Sequence, residues 1–179
     1  MGIREILREL IVDSGIIFAE YEDGQYVCNL PETNSDYSFK LRHLPKDAFA
    51  IKCDSFPDTG DVFFRGKNDE CKKADYALIS ESQRVIMFFE LARSCGTKTE
   101  NESIAQLKGA TCIMDYCGHI AASFFDSPDI RNFDYRYYIV RYSKSVKRTL
   151  EILQKPGGWK PENAKKIGGT FVSFKYLQQ

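Results

Sequence analysis

The stretch ADYALISESQRVIMFFELA, residues 74–92, decides the reading of this chain. Residues 74–79 and 85–92 are rich in side chains that favour extended backbone. Between them Ser80-Glu-Ser-Gln-Arg84 is a polar turn. The apolar run 85–89 is continuous rather than alternating, as expected of a strand covered on both faces. Folding the two segments about a turn centred near Ser82-Gln83 makes paired positions sum to about 165, a register that sets Asp75 opposite Glu90. Directly opposed residues have Cβ atoms ~4.5–5.5 Å apart on one face. A slip of one residue would send the two carboxylates to opposite faces, so this is a sharp expectation.

Outward from the hairpin, residues 101–122 carry Ile104, Leu107, Ala110, Ile113, Met114, Cys117, Ile120 and Ala121 at helical spacing. Asn101 or Ser103 is the expected cap. Residues 3–12 show the same spacing through Ile3, Ile6, Leu7, Leu10 and Ile11, and Gly15 is a stop. Residues 16–21 and 25–30 flank Glu22-Asp23-Gly24, a hairpin turn. With Pro31, Pro45, Pro57 and Gly60, the segment 31–60 is expected to be mostly loop. Further strands are expected at 61–65, 133–142 and 168–177, and a short basic helix at 144–154, ended by Pro156-Gly157-Gly158. This succession predicts an α/β fold, a mixed central β-sheet flanked by helices, in one domain over residues 1–179 with its core at about 60–142.

Composition narrows the function classes. The chain has 25 basic and 25 acidic side chains, so no overall field draws it to nucleic acid or to an anionic membrane. Any polyanion must be held by a local patch. None of the six cysteines forms a C-x-x-C pair, and only His43 and His119 are available to complete a zinc site. Cys112 and Cys117 fall in the apolar helical pattern, where reduced thiols act as small core residues. Arg4, Glu5, Arg8 and Glu9 interrupt the N-terminal apolar pattern, unlike a signal peptide, and no stretch has the length of a membrane span. The expectation is a cytoplasmic protein with no membrane partner.

Chemistry centres on Asp75 and Glu90. Two carboxylates this close repel unless a positive charge lies between them. Mg²⁺ (or Mn²⁺) suits such a pair, because it accepts one or two carboxylates together with water and phosphate oxygens. Ion pairing with Lys72, Lys73 or Arg93, or plain solvation at strand ends, is the alternative.

The succession Lys73-Ala-Asp75-Tyr-Ala-Leu-Ile, polar turn, Val85-Ile-Met-Phe-Phe-Glu90-Leu-Ala92, then a helix with Gln106-Leu-Lys-Gly-Ala, resembles the core of the PD-(D/E)XK, or restriction-endonuclease-like, nuclease superfamily. In that family an Asp ends or precedes one strand and E-x-K lies on the next strand of the hairpin. A helix follows, often with a Gln or Tyr facing the site. The resemblance covers about residues 60–122 and rests on order and spacing. It implies an endonuclease hydrolysing DNA, less often RNA, with Asp75, Glu90 and the Leu91 carbonyl as metal ligands. Glu5 or Glu9 stands where some members carry a further acid. A neutral, modest-sized domain of this kind points to a protein partner or homo-oligomer, in a defence or DNA-processing complex.

Ala92 departs from the pattern, because it stands where the family has its lysine. Three accounts are open: a lysine lost in an inactivated variant, a cation relocated to Lys73 or Lys108, or a non-cleaving interaction or inhibitor module of the same fold. Gln106 is expected either to touch water or substrate or to lie on a solvated face, and His119 to be a satisfied structural histidine. Tyr135, Arg136, Tyr137, Tyr138, Arg141 and Tyr142, followed by Lys144, Lys147 and Arg148, make either a phosphate-contacting surface or a half-buried strand. Lys160, Lys165 and Lys166 extend the positive bias toward the C-terminus.

Overall fold

The structure, a computed structural model, describes residues 1–32, 37–57, 60, 63–92, 99–125, 130–141, 150–151 and 160–179. In chain order come helix α1 (Ile3–Leu10) and strands β1 (Ile16–Phe18), β2 (Glu20–Glu22), β3 (Gln25–Pro31), β4 (Ser38–Leu44), β5 (Phe49–Lys52), β6 (Tyr76–Ser80) and β7 (Val85–Ala92). Then follow helix α2 (Glu100–Phe124), strands β8 (Asp134–Arg141), β9 (Leu150–Glu151), β10 (Lys165–Gly168) and β11 (Phe171–Ser173), and helix α3 (Phe174–Leu177). A seven-stranded sheet has the order β1-β5-β6-β7-β8-β10-β9, and a four-stranded sheet the order β11-β4-β3-β2. In the larger sheet β1, β5, β6 and β7 pair antiparallel. The pairs β7-β8 and β8-β10 are parallel. The fold is mixed α/β, as the sequence indicates, with two sheets where one was expected.

The hairpin forms in the register read from the sequence, Tyr76 opposite Phe89 and Ser80 opposite Val85. Its continuous apolar run follows from two cores. Ala77, Ile79, Ile86 and Phe88 pack with Ile3, Ile6 and Leu7 of α1 and Leu107, Ala110 and Met114 of α2. Leu78, Met87, Phe89 and Leu91 pack on the opposite face with Leu30, Phe39 and Leu41 of the smaller sheet and with Phe174 and Leu177 of α3. Helices, large sheet and small sheet thus form three layers, and β6-β7 lies at their middle.

A carboxylate from outside the hairpin fixes its turn. Asp47 accepts from the Ser82 N–H at 2.8 Å and the Ser82 hydroxyl at 2.7 Å, and the Ser80 hydroxyl donates to it at 3.2 Å. Partial burial works against the charge, but these hydrogen bonds outweigh it and hold the Asp47 carboxyl below the usual carboxylate range. A lowered folded-state value stabilises the fold fully above the unfolded value of about 3.9 and is lost as pH falls through the folded value. Asp47→Ala is therefore expected to cost about 1–2 kcal/mol at neutral pH. In urea denaturation the gap to the unaltered protein narrows progressively below about pH 4. A gap that is constant from pH 7 to pH 3 would contradict this account.

Several expectations are corrected. The segment 31–60 is not mostly loop, since it contains β4 and β5. Phe39, Leu41 and Leu44 are buried while Ser38 and His43 are exposed. Pro31 closes β3 and Pro45 follows β4, so the prolines sit at strand ends, where no ladder hydrogen bond is lost. The strand expected at 61–65 is absent over its described part. Phe63 and Phe64 are exposed, and Phe64 makes only an isolated bridge to Gly60; residues 61–62 lie outside the described set. The segment 16–21 divides, β1 pairing with β5 and β2 forming the hairpin with β3.

Helix α2 is capped by Thr99 rather than Asn101 or Ser103. The Thr99 side chain accepts from the Glu102 N–H, and the Glu102 side chain accepts from the Thr99 N–H. Cys117 is buried, but Cys112 faces outward. Of the helix expected at 144–154, Leu150–Glu151 instead form β9 against β10, and the remainder lies outside the described residues. The C-terminal segment is not one strand. Gly169, at φ +119°, lets the chain leave the large sheet, β11 joins the small sheet, and Phe174 and Leu177, three apart, are buried on one face of α3. Among the described residues no helix is long and apolar enough to cross a membrane.

Candidate functional site

Asp75 lies one residue before β6 and Glu90 one residue beyond the last paired position of β7, Phe89. Side chains alternate along a strand, so both share the face of Ala77 and Phe88, the α2 side of the large sheet. Glu90 is fully buried and Asp75 half-buried. The Asp75 carboxylate accepts from the Leu91 N–H at 2.6 Å.

That bond exists because the chain leaves the ladder one residue earlier. Continued pairing would bring Ala74 opposite Leu91, but the Ala74 N–H donates instead to the Gln106 carbonyl of α2 at 2.9 Å. The Gln106 side-chain amide donates to the Lys73 carbonyl at 3.2 Å. Gly109 permits this approach: a Cβ there would overlap the Lys72 carbonyl oxygen, with the carbonyl carbon 2.9 Å away. Helix α2 therefore pulls residues 72–74 off the sheet, and the Asp75 carboxylate takes over as acceptor for Leu91. The N–H and C=O of one strand residue point to the same edge, so the Leu91 carbonyl faces the edge that Ala74 has left.

Two carboxylates and one carbonyl are an all-oxygen, hard donor set, which fits Mg²⁺ or Mn²⁺ and not a soft metal. Among the described residues no group of three or more His, Cys, Asp or Glu is placed to hold a metal. A cation here has at most the two carboxylates, a number Mg²⁺ accepts when water and phosphate oxygens complete its shell. Burial, reinforced by the carboxylates of Asp54 and Asp75, pushes the Tyr76 hydroxyl above its usual range.

The other sequence candidates are distributed differently. Lys73 donates from Nζ to the Phe56 carbonyl at 2.9 Å, so its charge is used on the loop after β5. Lys108 pairs with Glu162 at 2.6 Å on the exposed side of α2, which removes it as a relocated cation. Gln106 is half-buried, and its side-chain N–H clamps the chain preceding Asp75. Glu5 and Glu9 are exposed on α1, and the Ile3 N–H at the start of that helix donates to Glu81 in the β6-β7 turn, at the far end of the hairpin from Asp75. His119 is exposed, its Nε2 2.7 Å from Arg131 Nη1.

The aromatic-basic run resolves as a strand packed on both faces. Tyr137 stacks on Phe88 at 5.1 Å and Tyr138 on Phe89 at 5.2 Å. The Tyr135 hydroxyl donates to Asp115, and Arg136 is tied to Asp134 and to the Leu177 carbonyl. Only Arg141 of the described part is exposed, and residues 142–149 lie outside the described set.

Reasoning from sequence missed how the parallel strands add cations to this face. Glu90 is in register with Ile139 of β8, and Ile139 with Lys166 of β10. Lys166 pairs with Glu100 in the first turn of α2 at 2.7 Å. One step further along, Ala92 is in register with Arg141, and Arg141 with Gly168.

No protein family, curated protein or solved structure matches this chain.

Proposed function

We propose that this chain is a metal-dependent nuclease domain of the restriction-endonuclease-like class, hydrolysing phosphodiester bonds in DNA. One observation carries the reading: Asp75 and Glu90, from neighbouring strands, share one face with the Leu91 backbone between them. An Asp before one strand, a Glu near the end of the next and a following helix that bears Gln106 reproduce the order the resemblance implies.

Asp75, Glu90 and the Leu91 carbonyl would hold Mg²⁺ or Mn²⁺. When bound, such an ion lowers the pKa of water and offsets charge on the phosphate oxygens. In the hydrolysis a water oxygen bonds to phosphorus as one P–O ester bond breaks, leaving one phosphate-ended and one hydroxyl-ended strand. The chain's own contribution is to orient the donors: Gln106 and Gly109 fix the approach to Asp75, and the Leu91 N–H fixes its carboxylate. Ala92 favours a second reading, a non-cleaving interaction module, because it lacks the lysine that would neutralise transition-state charge.

The test is cleavage of supercoiled plasmid with MgCl₂ or MnCl₂. The unaltered chain is expected to cut, EDTA to stop it, and Asp75→Asn to lower the rate at least a hundredfold at unchanged circular dichroism. Cutting by Asp75→Asn at the full rate would overturn the assignment, and a folded, inert parent chain would favour the interaction module.

A further inference from the structure

We infer that Arg141 supplies the positive charge that Ala92 does not, by contacting the phosphate bound beside Asp75 and Glu90. This deepens the nuclease reading and rests on it.

The inference follows from strand register. β7 and β8 are parallel and paired from Val85-Asp134 through Ala92-Arg141 without a break. Partners in adjacent strands lie ~4.8 Å apart and project to the same side. That side is fixed by the residues before them: Ile139 and Phe88 are in the core beneath α1 and α2, and Ala92 packs against the same cluster. Arg141 therefore emerges on the Glu90 face, one strand spacing from the Ala92 Cβ. Its partner on the other side is Gly168, so the row Ala92-Arg141-Gly168 has a single side chain longer than a methyl. A guanidinium there can lean over either neighbour without meeting another side chain of that row.

The charge pattern is consistent with this assignment. Across the face, Asp75 stands just before β6 and Glu90 on β7, and the cations Arg141 and Lys166 on β8 and β10. The acidic half suits a hard cation and the basic half a phosphate, which are the two things a phosphodiester-cleaving site must hold together. Lys166 is engaged by Glu100, and Lys108 by Glu162. Arg141 is exposed at the C-terminal end of β8 and reaches solvent, where a duplex would approach. Arginine is also the better choice for a planar, two-point contact with a phosphate.

The test separates this inference from the reading beneath it. Binding of a short fluorescein-labelled DNA duplex is measured by anisotropy in EDTA across a salt series, so that no cleavage enters. Loss of one phosphate contact should lower the slope of log K against log salt by about 0.9. Arg141→Ala is expected to show that loss and to cut plasmid at least a hundredfold more slowly with MnCl₂, while Arg141→Lys keeps most of both. The double change Arg141→Ala with Ala92→Lys is expected to recover slope and cutting, because the two positions serve the same volume. An unchanged slope in Arg141→Ala, or no recovery in the double variant at unaltered melting temperature, overturns the assignment of Arg141. If Asp75→Asn abolishes cutting but Arg141→Ala does not, only this inference falls. If Asp75→Asn cuts at the full rate, or the unaltered chain neither binds nor cuts, the nuclease reading falls with it.

Discussion

Glu90→Gln is expected to abolish cleavage while leaving the protein as stable as before, or more so. Glu90 is fully buried, on the face it shares with Asp75, Ile86 and Phe88. Removing a carboxylate from water costs several kcal/mol before any compensation. Glutamine has nearly the same shape, keeps one oxygen that can accept the hydrogen bonds made to Glu90, and carries no charge, so the cost of burying the carboxylate is removed. In the proposed nuclease site the same change would remove a ligand from a cation that would stabilise the transition state by several kcal/mol, which corresponds to about a thousandfold in rate or more. A second measurement avoids activity altogether. Mn²⁺ at 100-fold its dissociation constant should stabilise the unaltered protein by about 2.7 kcal/mol, and that shift should be missing in Glu90→Gln. A Glu90→Gln protein that melts well below the parent, with the same response to Mn²⁺, would assign Glu90 a purely structural role.

Gly109→Ala is expected to destabilise the fold by about 2–3 kcal/mol, as overpacking does. On helix propensity alone the opposite sign is expected, since alanine is better than glycine by ~1 kcal/mol inside a helix. Contact decides the sign. The new methyl would overlap the Lys72 carbonyl, and both sides of that overlap are backbone, so no side-chain rotation relieves it. The strand-like segment 72–74 must then lift from α2, which strains the bond from Ala74 N–H to the Gln106 carbonyl and shifts Asp75. Urea midpoints give the stability, and plasmid cutting should fall with it. If alanine at 109 stabilises the protein, the docking of 72–74 on α2 is wrong.

The hairpin was legible because its signals are local and agree: two apolar segments, one polar turn of fixed length, and burial on both faces that leaves one register. The α2 pattern was legible for the same reason. Strands β4 and β5 were not read because Pro31, Pro45 and Pro57 are loop signals by composition. Pro31 and Pro45 fall at strand ends, and the alternation of Phe39 and Leu41 with Lys40 and Arg42 was the signal passed over. The C-terminal segment was misread because a single alternating pattern spans two sheets and a helical turn, and only Gly169 marks the crossing. At the site, Asp75 and Glu90 could be paired from the turn alone. The clamp of Gln106 on Lys73, the space left by Gly109 for Lys72 and the register of Arg141 with Ala92 join residues 33, 37 and 49 positions apart, for which one sequence carries no pairing signal. A glycine in the middle of the best helix was the one hint available.

The ten-residue path from Lys165 to Phe174 adds β10 to the large sheet and β11 to the small one, with only Gly169-Thr170 between them. Until that path is made, β8 and β4 each lack one neighbour. On a ribosome, which releases the N-terminal end first, both edges stay unpaired until residues 165–174 have emerged. Nascent chains of this protein should accordingly depend on chaperones or coalesce through their open edges, and become compact late and abruptly, when a single short stretch zips two layers at once.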